Sequence, residues 1–333
     1  MTDIYVAADT RYSQMKYRKV GNSGLRLPVI SLGLWHNFGH HNHQETMRDI
    51  LRYSFDHGIC HFDLANNYGP PAGSAEENFS QLFKSDFLPY RDECIISTKA
   101  GYYMWEGPYG DGGSRKYLIS SLDQSLKRLG LDYVDIFYHH RMDKDTPLEE
   151  TALALSQIVN SGKALYIGLS NYDSETMIEM SELLKDLKVP FIINQNSYSI
   201  FNRRIEDDKF KEANEKVGKG IIVYSPLDQG LLTERYLLTI PEDSRIKTDG
   251  RFLKESDITE EKIKKVKQLK CLADSRGQSL AALALSWILK DEVISSVLIG
   301  ASKVEQVKDN LSLLDNMTFS KDELNEIEKI VHT

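Results

Sequence analysis

The feature that most constrains the fold of this chain is an alternation of short apolar runs with amphipathic stretches along nearly its whole length. The runs have the length and composition of buried strands, and the stretches between them carry apolar residues at helical spacing. The eight predicted strands are residues 29–33, 58–61, 95–99, 133–138, 164–169, 191–194, 220–224 and 294–299. Eight strand and helix pairs without a linker predict a closed (β/α)8 TIM barrel, which is an α/β fold.

Three further features complete the predicted architecture. Residues 16–20 and 25–27 flank a Gly/Asn turn and predict an N-terminal β-hairpin at the bottom of the barrel. Residues 100–115 and 227–256 lack a regular period and predict long loops over the C-terminal face, the first of them a lid. The predicted helices are 44–57, 74–83, 116–129, one with Thr146 as its N-cap, 174–188, one ending at 217, 258–276, 279–290, 303–313 and an outer helix, 321–331. We therefore expect a tail at 1–15 and a single barrel domain at 16–333.

Composition and charge exclude several classes of protein. A net charge of -8 in 333 residues argues against a nucleic-acid partner or an anionic membrane partner. No signal peptide or membrane-spanning run is visible, so a cytoplasmic location is expected. Three cysteines are too few for a disulfide framework, and Cys60 and Cys94 lie in apolar runs, where we expect reduced, buried thiols.

Polar side chains stand at the ends of three predicted strands. Asp63 and Tyr68 follow the second strand, Lys99 ends the third, and His140 follows the fourth. The carboxyl ends of parallel strands meet at one rim, where loops converge and side chains leave the packed interior. Each of these groups alone is most often a solvated or ion-paired rim residue, but four together predict one pocket.

Two other groups of residues resemble known kinds of functional site. His36, His40, His41 and His43 crowd one loop, but their spacing is not that of a structural zinc site and no cysteines join them, so no metal is expected. His41 or Trp35 is expected to line the substrate pocket instead. Ser97 with Lys99 resembles a serine-lysine hydrolase pair, yet the strand lacks the nucleophile elbow of such enzymes.

Several motifs, in order between residues 16 and 331, resemble those of the aldo-keto reductases. They are the hairpin, 62–69, 97–99, the strand before His140, 168–171, 224–227, 300–302 and 309–310. Within that family, 104–111 and 138–141 resemble the branch that holds bacterial L-glyceraldehyde 3-phosphate reductases and is related to the β-subunits of voltage-gated potassium channels.

The resemblance implies a catalytic tetrad of Asp63, Tyr68, Lys99 and His140. Of the two adjacent histidines, strand alternation from Val134 favours His140, with His139 on the other face. The channel subunits have asparagine at this position, so the histidine favours an active reductase. Tyr68 is expected to donate a proton, its pKa lowered by the Lys99 ammonium, with Asp63 orienting the lysine and His140 polarising the carbonyl.

The expected cofactor is NADP(H), with NAD(H) left open. No Gly-x-Gly-x-x-Gly fingerprint follows an early strand, and the resemblance implies an extended nicotinamide cofactor across the barrel mouth. The implied contacts are Trp35, Asp63, Ser170, Asn171, Gln195, Tyr224, Ser225, Pro226, Leu227, Gln229, Gly230, Arg235, Arg245, Gly300, Ser302, Lys303, Gln306, Asp309 and Asn310. Gly300 and Gln306 replace a lysine and an arginine that surround the 2′-phosphate in well-studied members; Lys303 and Arg245 are the candidates to compensate.

Two functions follow from the resemblance. The first is NADPH-dependent reduction of small aldehydes or ketones, such as glyceraldehyde 3-phosphate or methylglyoxal, which would make the chain an enzyme of methylglyoxal detoxification. Its expected substrate contacts are Trp35, Tyr68, His140 and Arg141. The alternative is a cofactor-sensing subunit of a membrane channel or transporter with little turnover. Metal-dependent hydrolysis is a third, weaker hypothesis, and the physiological substrate and a homo-oligomeric state are left open.

Overall fold

Eight parallel strands close into a barrel in the computed structural model, which describes residues 4–237, 256 and 258–332. The barrel strands are β3 (Ile30–Gly33), β4 (His61–Asp63), β5 (Ile95–Ala100), β6 (Val134–His139), β7 (Ala164–Ser170), β8 (Phe191–Ser197), β9 (Gly220–Tyr224) and β10 (Ile294–Ile299). Each strand pairs with the next, and β10 pairs with β3 to close the ring. The predicted (β/α)8 barrel is confirmed.

Helices surround the barrel, and their apolar faces pack on the strands or on one another. The helices are α1 (Gln44–Asp56), α2 (Ser74–Leu82), α3 (Arg115–Leu129), α4 (Leu148–Asn160), α5 (Ser174–Asp186), α6 (Arg204–Asp207), α7 (Phe210–Val217), α8 (Glu260–Ser275), α9 (Leu280–Ile288), α10 (Val304–Leu311) and α11 (Lys321–His332). Ser114, Asp173, Thr259 and Ser279 cap α3, α5, α8 and α9 with their side chains. None of the helices in the described ranges is long and apolar enough to cross a lipid bilayer.

An antiparallel hairpin of β1 (Tyr17–Lys19) and β2 (Arg26–Pro28) precedes the barrel, as predicted. Val20 and Leu27 are fully buried in a cluster with Ile136, Tyr138 and other side chains inside the barrel. The turn of the hairpin is anchored where the Asn22 amide donates to the residue 218 carbonyl, just before β9 begins. The hairpin therefore closes the barrel at the end opposite the carboxyl ends of the strands.

The second barrel strand lies further along the chain than the sequence predicts. Gly58 does not begin the strand: it takes a left-handed φ of 83°, and its amide donates to the carbonyl of Phe55, the last but one residue of α1. Pairing with the next strand begins where the Ile95 amide donates to the Cys60 carbonyl. The strand is therefore His61–Asp63, and Asp63 is its last residue.

Two other local predictions need correction. Thr146 does not cap a helix: its hydroxyl donates to Asp143 at 2.7 Å, and α4 begins at Leu148. A π-helical turn at Phe83–Phe87 and a 3-10 turn at Leu88–Glu93 follow α2 and were not predicted. The hydroxyl of Thr146 is therefore engaged by a residue that precedes it, and the backbone after α2 stays helical for longer than predicted.

The cysteines divide into two buried thiols and one exposed thiol. Cys60 and Cys94 are buried, as predicted, and burial raises the pKa of both thiols, that of Cys60 to about 12. Cys271 lies exposed on α8. Protonated thiols of this kind pack as small apolar side chains.

Candidate active site

The carboxyl ends of the barrel strands place the predicted polar residues around one cavity. Asp63 is the last residue of β4, Lys99 is the last but one of β5, and His140 follows β6 directly. Ser170 ends β7 and Tyr224 ends β9. Parallel strands in a closed barrel all end at the same face, so residues far apart in sequence converge there.

Asp63, Lys99 and Tyr68 form one hydrogen-bonded group. The Lys99 ammonium donates to Asp63 Oδ2 and to the Leu64 carbonyl, the latter at 2.7 Å, and its Nζ lies 3.3 Å from the Tyr68 hydroxyl oxygen. Lys99 has no exposed surface. A buried charge of this kind is stable only when an opposite charge balances it, and the Asp63 carboxylate does so here. Since the ammonium donates to the phenol oxygen, the phenol proton is left to donate to another acceptor.

The pKa of Tyr68 differs from the sequence-based expectation. Burial and the nearby Asp63 carboxylate raise the pKa of Tyr68 well above its ordinary value, whereas the Lys99 ammonium was expected to lower it. The pKa of Lys99 itself is lowered by burial, against the opposing effect of Asp63. The phenol is therefore protonated at neutral pH, which is the state that a proton donor requires.

His140 is a neutral imidazole beside the phenol. Its ring packs edge-on against Tyr68, with centroids 5.9 Å apart, and against Tyr102 at 4.7 Å. Burial, followed by the positive charge of Lys99, holds the pKa of His140 well below its usual value. His139 lies outside the cavity, where its Nδ1 contacts the Tyr172 hydroxyl at 2.6 Å. A neutral His140 carries one N–H, which can serve as a hydrogen-bond donor to a substrate oxygen.

The cavity has a volume of about 1210 Å³ and is lined from Tyr68 and His140 to residues 309 and 310 of α10. Every residue predicted to contact the cofactor lines this cavity, except Arg245, which lies outside the described residues. Lys99 does not reach the cavity surface and acts from behind Tyr68. A long cavity with reactive groups at one end suits an extended ligand.

Backbone strain is concentrated on the cavity wall. His36, Asn171, Ser225 and Gln229 line the cavity with left-handed φ values of 65°, 57°, 53° and 58°. Residues other than glycine seldom adopt this conformation, which costs about 1–3 kcal/mol each and recurs at ligand sites. The strained residues all lie in the segments that follow β3, β7 and β9, which supports a ligand site in the cavity that these segments line.

Asn171 connects the two sides of the reactive end. Its Oδ1 accepts from the Tyr224 hydroxyl at 2.8 Å, and its Nδ2 donates to the His140 carbonyl at 3.0 Å. The left-handed backbone of Asn171 allows both contacts. The orientation of the Tyr224 ring is thereby tied to the position of His140.

The far end of the cavity is formed by the first turns of α10. The Ser302 amide donates to Gln306 Oε1 at 2.8 Å, and the Ser302 hydroxyl lies 3.2 Å from the same oxygen. This backbone donor before α10 is therefore already engaged by a side chain. Lys303 occupies the N-cap position and lines the cavity, so it supplies the cationic group at this end.

The groups along the cavity fit a nicotinamide dinucleotide. Ser170, Asn171 and Gln195 offer hydroxyl and amide groups that match a carboxamide, beside the flat ring of Tyr224. His140 Nδ1 is buried and has no hydrogen-bond partner within the described residues, so this end contains an unsatisfied polar atom. Lys303 provides positive charge at the opposite end for a phosphate.

Two predicted substrate residues do not reach the cavity. Arg141 donates to the Gly101 carbonyl at 2.7 Å and to Asp111 at 2.8 Å, with its guanidinium over the Tyr102 ring. His41 is exposed and does not line the cavity, whereas Trp35 does. Arg141 instead holds the start of the 100–115 loop in place.

The 100–115 loop covers less of the cavity than the predicted lid. Tyr102 is the one residue of this loop that lines the cavity. Trp105 packs on the Tyr117 ring of α3 at 5.1 Å, and the Tyr117 hydroxyl donates to the Tyr102 carbonyl. These contacts of Trp105 and Tyr102 with Tyr117 fix the loop to α3.

Several lining residues were not predicted from the sequence. They are Gly33, His36, Asn37, Asn67, Tyr102, Thr233, Glu234, Tyr236, Ala281, Leu298 and Ile299. His36 and Asn37 follow the first barrel strand, and Asn67 precedes Tyr68, so the strand-end rule offers a signal for these three. Thr233 to Tyr236 lie in the second long loop, where no local pattern shows which side chains turn inward. Within residues 4–237, 256 and 258–332, no group of three or more His, Cys, Asp or Glu side chains could hold a metal ion.

Comparison with known proteins agrees with this geometry. Residues 29–332 match the Aldo/keto reductase family. The chain is 56% identical over 329 residues to L-glyceraldehyde 3-phosphate reductase of Escherichia coli K12 and to that of Escherichia coli O157:H7, covering 98% of this chain and 95% of each relative. It is 35% identical over 305 residues to a probable voltage-gated potassium channel subunit beta of Oryza sativa subsp. japonica, covering 90% of this chain and 92% of that relative.

The barrel, the strand-end groups and these matches together define an oxidoreductase that depends on a nicotinamide cofactor. The chain belongs to the aldo/keto reductase family. The family and the reductase relatives support aldehyde reduction as its general chemistry.

Proposed function

We propose that this protein reduces small, polar aldehydes and ketones with NADPH, glyceraldehyde 3-phosphate and methylglyoxal among them. The observation that carries the proposal is the Tyr68 hydroxyl, 3.3 Å from the buried Lys99 ammonium and beside the neutral His140 at one end of a long cavity. The relatives that are 56% identical act, by name, on L-glyceraldehyde 3-phosphate, which supports this substrate class.

The bound cofactor supplies the hydride, and residues of the protein bind and protonate the carbonyl oxygen of the substrate. Tyr68 keeps its proton until negative charge develops on that oxygen, and then donates it. His140 donates its single N–H to the same oxygen and fixes its position, as in an oxyanion site. Both groups are neutral before the reaction, so they bind an uncharged carbonyl without electrostatic cost.

Lys99 stabilises the state in which Tyr68 has lost its proton. Its ammonium already donates to the phenol oxygen, and this contact strengthens as the phenol becomes anionic. Asp63 holds the ammonium from the opposite side, where water cannot compete. The raised pKa of Tyr68 makes the phenol a weak acid before reaction, so this compensation by Lys99 is required for turnover.

The preference for NADPH rests on charge at the far end of the cavity. Lys303 lines the cavity at the start of α10 and offers positive charge to a 2′-phosphate. Gly300 and Gln306 carry no charge, and Gln306 is engaged by Ser302. We therefore propose that NADPH binds more tightly and that NADH is also accepted.

A second candidate is a cofactor-sensing subunit with little turnover, supported by the 35% identity to plant channel subunits. This candidate predicts tight retention of cofactor and no aldehyde-dependent oxidation of it. His140, in place of the asparagine implied for such subunits, favours the reductase.

The testing experiment is a screen of purified protein with NADPH and NADH against a panel of aldehydes and ketones, including both named substrates. Cofactor carrying deuterium at the transferred position should yield product with one deuterium on the former carbonyl carbon. We expect turnover with polar two- and three-carbon aldehydes and a lower KM for NADPH than for NADH. The proposal fails if no aldehyde accelerates cofactor oxidation.

A further inference from the structure

A chain of hydrogen-bonded side chains crosses the barrel interior and ends at Asp63. Ser296 and Ser31 hydroxyl oxygens lie 2.7 Å apart, and Ser31 lies 2.9 Å from His61 Nδ1. His61 Nε2 lies 3.0 Å from the Ser97 hydroxyl, which lies 2.6 Å from Asp63 Oδ1. All of these side chains are buried, and they come from strands β10, β3, β4 and β5.

The direction of each hydrogen bond follows from the single proton that a serine hydroxyl carries. A 2.6 Å contact between Ser97 and a carboxylate oxygen requires that proton to lie between them, because the carboxylate has none to offer. Ser97 must therefore accept from His61, which makes His61 Nε2 the protonated nitrogen. His61 Nδ1 is then the acceptor for Ser31, and Ser31 accepts from Ser296.

This hydrogen-bond order requires His61 to be neutral. Full burial lowers the pKa of His61 to about 4, so the imidazole carries one proton at neutral pH. An imidazolium would present a second N–H to Ser31 and break the order of donors. A neutral ring with Ser31 on one side and Ser97 on the other has all its polar atoms satisfied.

The hydrogen-bond chain through His61 determines how Asp63 is held. Asp63 Oδ1 accepts from Ser97 at 2.6 Å and from Gln195 at 3.3 Å, while Oδ2 accepts from Lys99. With donors on both oxygens, the plane of the carboxylate is fixed, and this plane sets where the Lys99 ammonium lies beneath Tyr68. Each hydrogen bond in a buried chain also polarises the next.

We propose that His61 is a positioning residue for the reaction: it orients the Ser97 hydroxyl onto Asp63 and thereby holds the Lys99 ammonium against Tyr68. This inference rests on the proposed reduction at Tyr68 and adds a residue that does not touch substrate or cofactor. Ser97, whose spacing from Lys99 suggested a hydrolase pair in the sequence, acquires its role as the link between His61 and Asp63.

Two substitutions of His61 separate positioning from space filling. His61→Gln places an amide nitrogen at about the position of Nε2, so it keeps a donor for Ser97. His61→Asn is shorter and reaches only the position of Nδ1. Ser97→Ala removes the link itself. Ser286→Ala is a matched control, because Ser286 is a buried serine that takes no part in the hydrogen-bond chain.

We expect kcat to fall about tenfold in His61→Asn and in Ser97→Ala, the effect of one lost hydrogen bond, with KM for the aldehyde unchanged. His61→Gln should retain kcat within about threefold of wild type and Ser286→Ala should match wild type, since both leave a donor to Ser97 in place. Equal losses in His61→Gln and His61→Asn, or full activity in His61→Asn, would overturn the inference. Thermal unfolding of each variant shows whether it is folded at the assay temperature.

A measurement on the cofactor-free protein tests the order of the hydrogen bonds through His61 without an activity assay. Nitrogen-15 labelling of histidine distinguishes the two neutral tautomers and the imidazolium by NMR, and the His61 signals are assigned as those missing in His61→Gln. We expect the neutral tautomer with the proton on Nε2 at pH 7. The opposite tautomer or an imidazolium would overturn the inference. If the wild type fails to reduce any aldehyde, the proposed function falls while this spectrum still decides the hydrogen-bond order.

Discussion

Lys99 Nζ lies 3.3 Å from the Tyr68 hydroxyl oxygen and is held there by Asp63 on its other side, with no exposed surface on the lysine. The ammonium occupies a buried position between the Asp63 carboxylate and the phenol that loses its proton in the proposed reaction. This arrangement links the stability of the barrel rim to the chemistry, because the same charge serves both.

Replacement of Lys99 by Met should separate these two contributions. We expect kcat to fall by at least about 100-fold, since proton donation loses its electrostatic support. We also expect the free energy of unfolding to fall by about 3–5 kcal/mol, because Asp63 is left buried without its cation. The double variant Asp63→Asn/Lys99→Met should recover part of that stability but none of the activity. Urea unfolding and steady-state kinetics measure both quantities, and recovery of activity in the double variant would contradict the account.

The pH dependence of reduction should be flat across the neutral range. The pKa of His140 is held well below its usual value, so the imidazole is already neutral at mildly acidic pH. The pKa of Tyr68 is raised, so the phenol keeps its proton at alkaline pH. We expect kcat/KM to vary less than twofold between about pH 6.5 and 9, which lies within the interval between the ordinary pKa values of these groups, about 6.5 and 10. An acid limb centred near the ordinary histidine pKa would show that His140 titrates normally.

Buried His139 should make the protein less stable in acid. Its pKa is lowered to about 4 by burial, against about 6.5 in an unfolded chain, so the unfolded state binds one more proton between these values. Stability contributed by the neutral ring is complete above about pH 6.5 and is lost as the pH falls toward 4, with a slope of about 1.4 kcal/mol per pH unit. His139→Gln should show a shallower slope by that amount. Equal slopes for His139→Gln and wild type would mean that His139 is protonated in the fold.

The contact between Tyr224 and Asn171 should affect cofactor binding more than chemistry. Tyr224→Phe removes the 2.8 Å hydrogen bond to Asn171 that orients both side chains at the end of the cavity where we propose that the nicotinamide binds. We expect the Kd for NADPH to rise about 3- to 10-fold, as for one lost hydrogen bond, with kcat changed less. Titration of protein fluorescence with NADPH measures the Kd, and Tyr103→Phe on the 100–115 loop serves as the control. An unchanged Kd would remove Tyr224 from the cofactor site.

The fold was predictable because eight strand and helix pairs leave few alternatives for burying their apolar faces. The strand-end rule also places Asp63, Lys99 and His140 at one rim from the sequence alone. The start of β4 was predicted wrongly, because the left-handed turn at Gly58 belongs to the end of α1 and local pattern does not show this. Local sequence predicts the elements, but their exact ends depend on contacts with other elements.

The remaining misses at the site have the same origin. Arg141 is held outside the cavity by Asp111, and the Tyr68 pKa is raised by burial that a sequence does not reveal. The hydrogen-bond chain through His61 joins residues that are 30 and 36 positions from it in sequence. Side chains that meet only through the closed barrel could not be paired from their spacing.

The most direct test of the central claim is the turnover of Tyr68→Phe with NADPH and a small aldehyde, compared with wild type and with Tyr109→Phe. Both variants lose one phenol oxygen, but Tyr109 is exposed on the 100–115 loop and does not line the cavity. We predict that Tyr68→Phe loses at least about 100-fold in kcat while still binding NADPH, and that Tyr109→Phe retains full activity. Turnover of Tyr68→Phe within a few-fold of wild type would show that another group donates the proton.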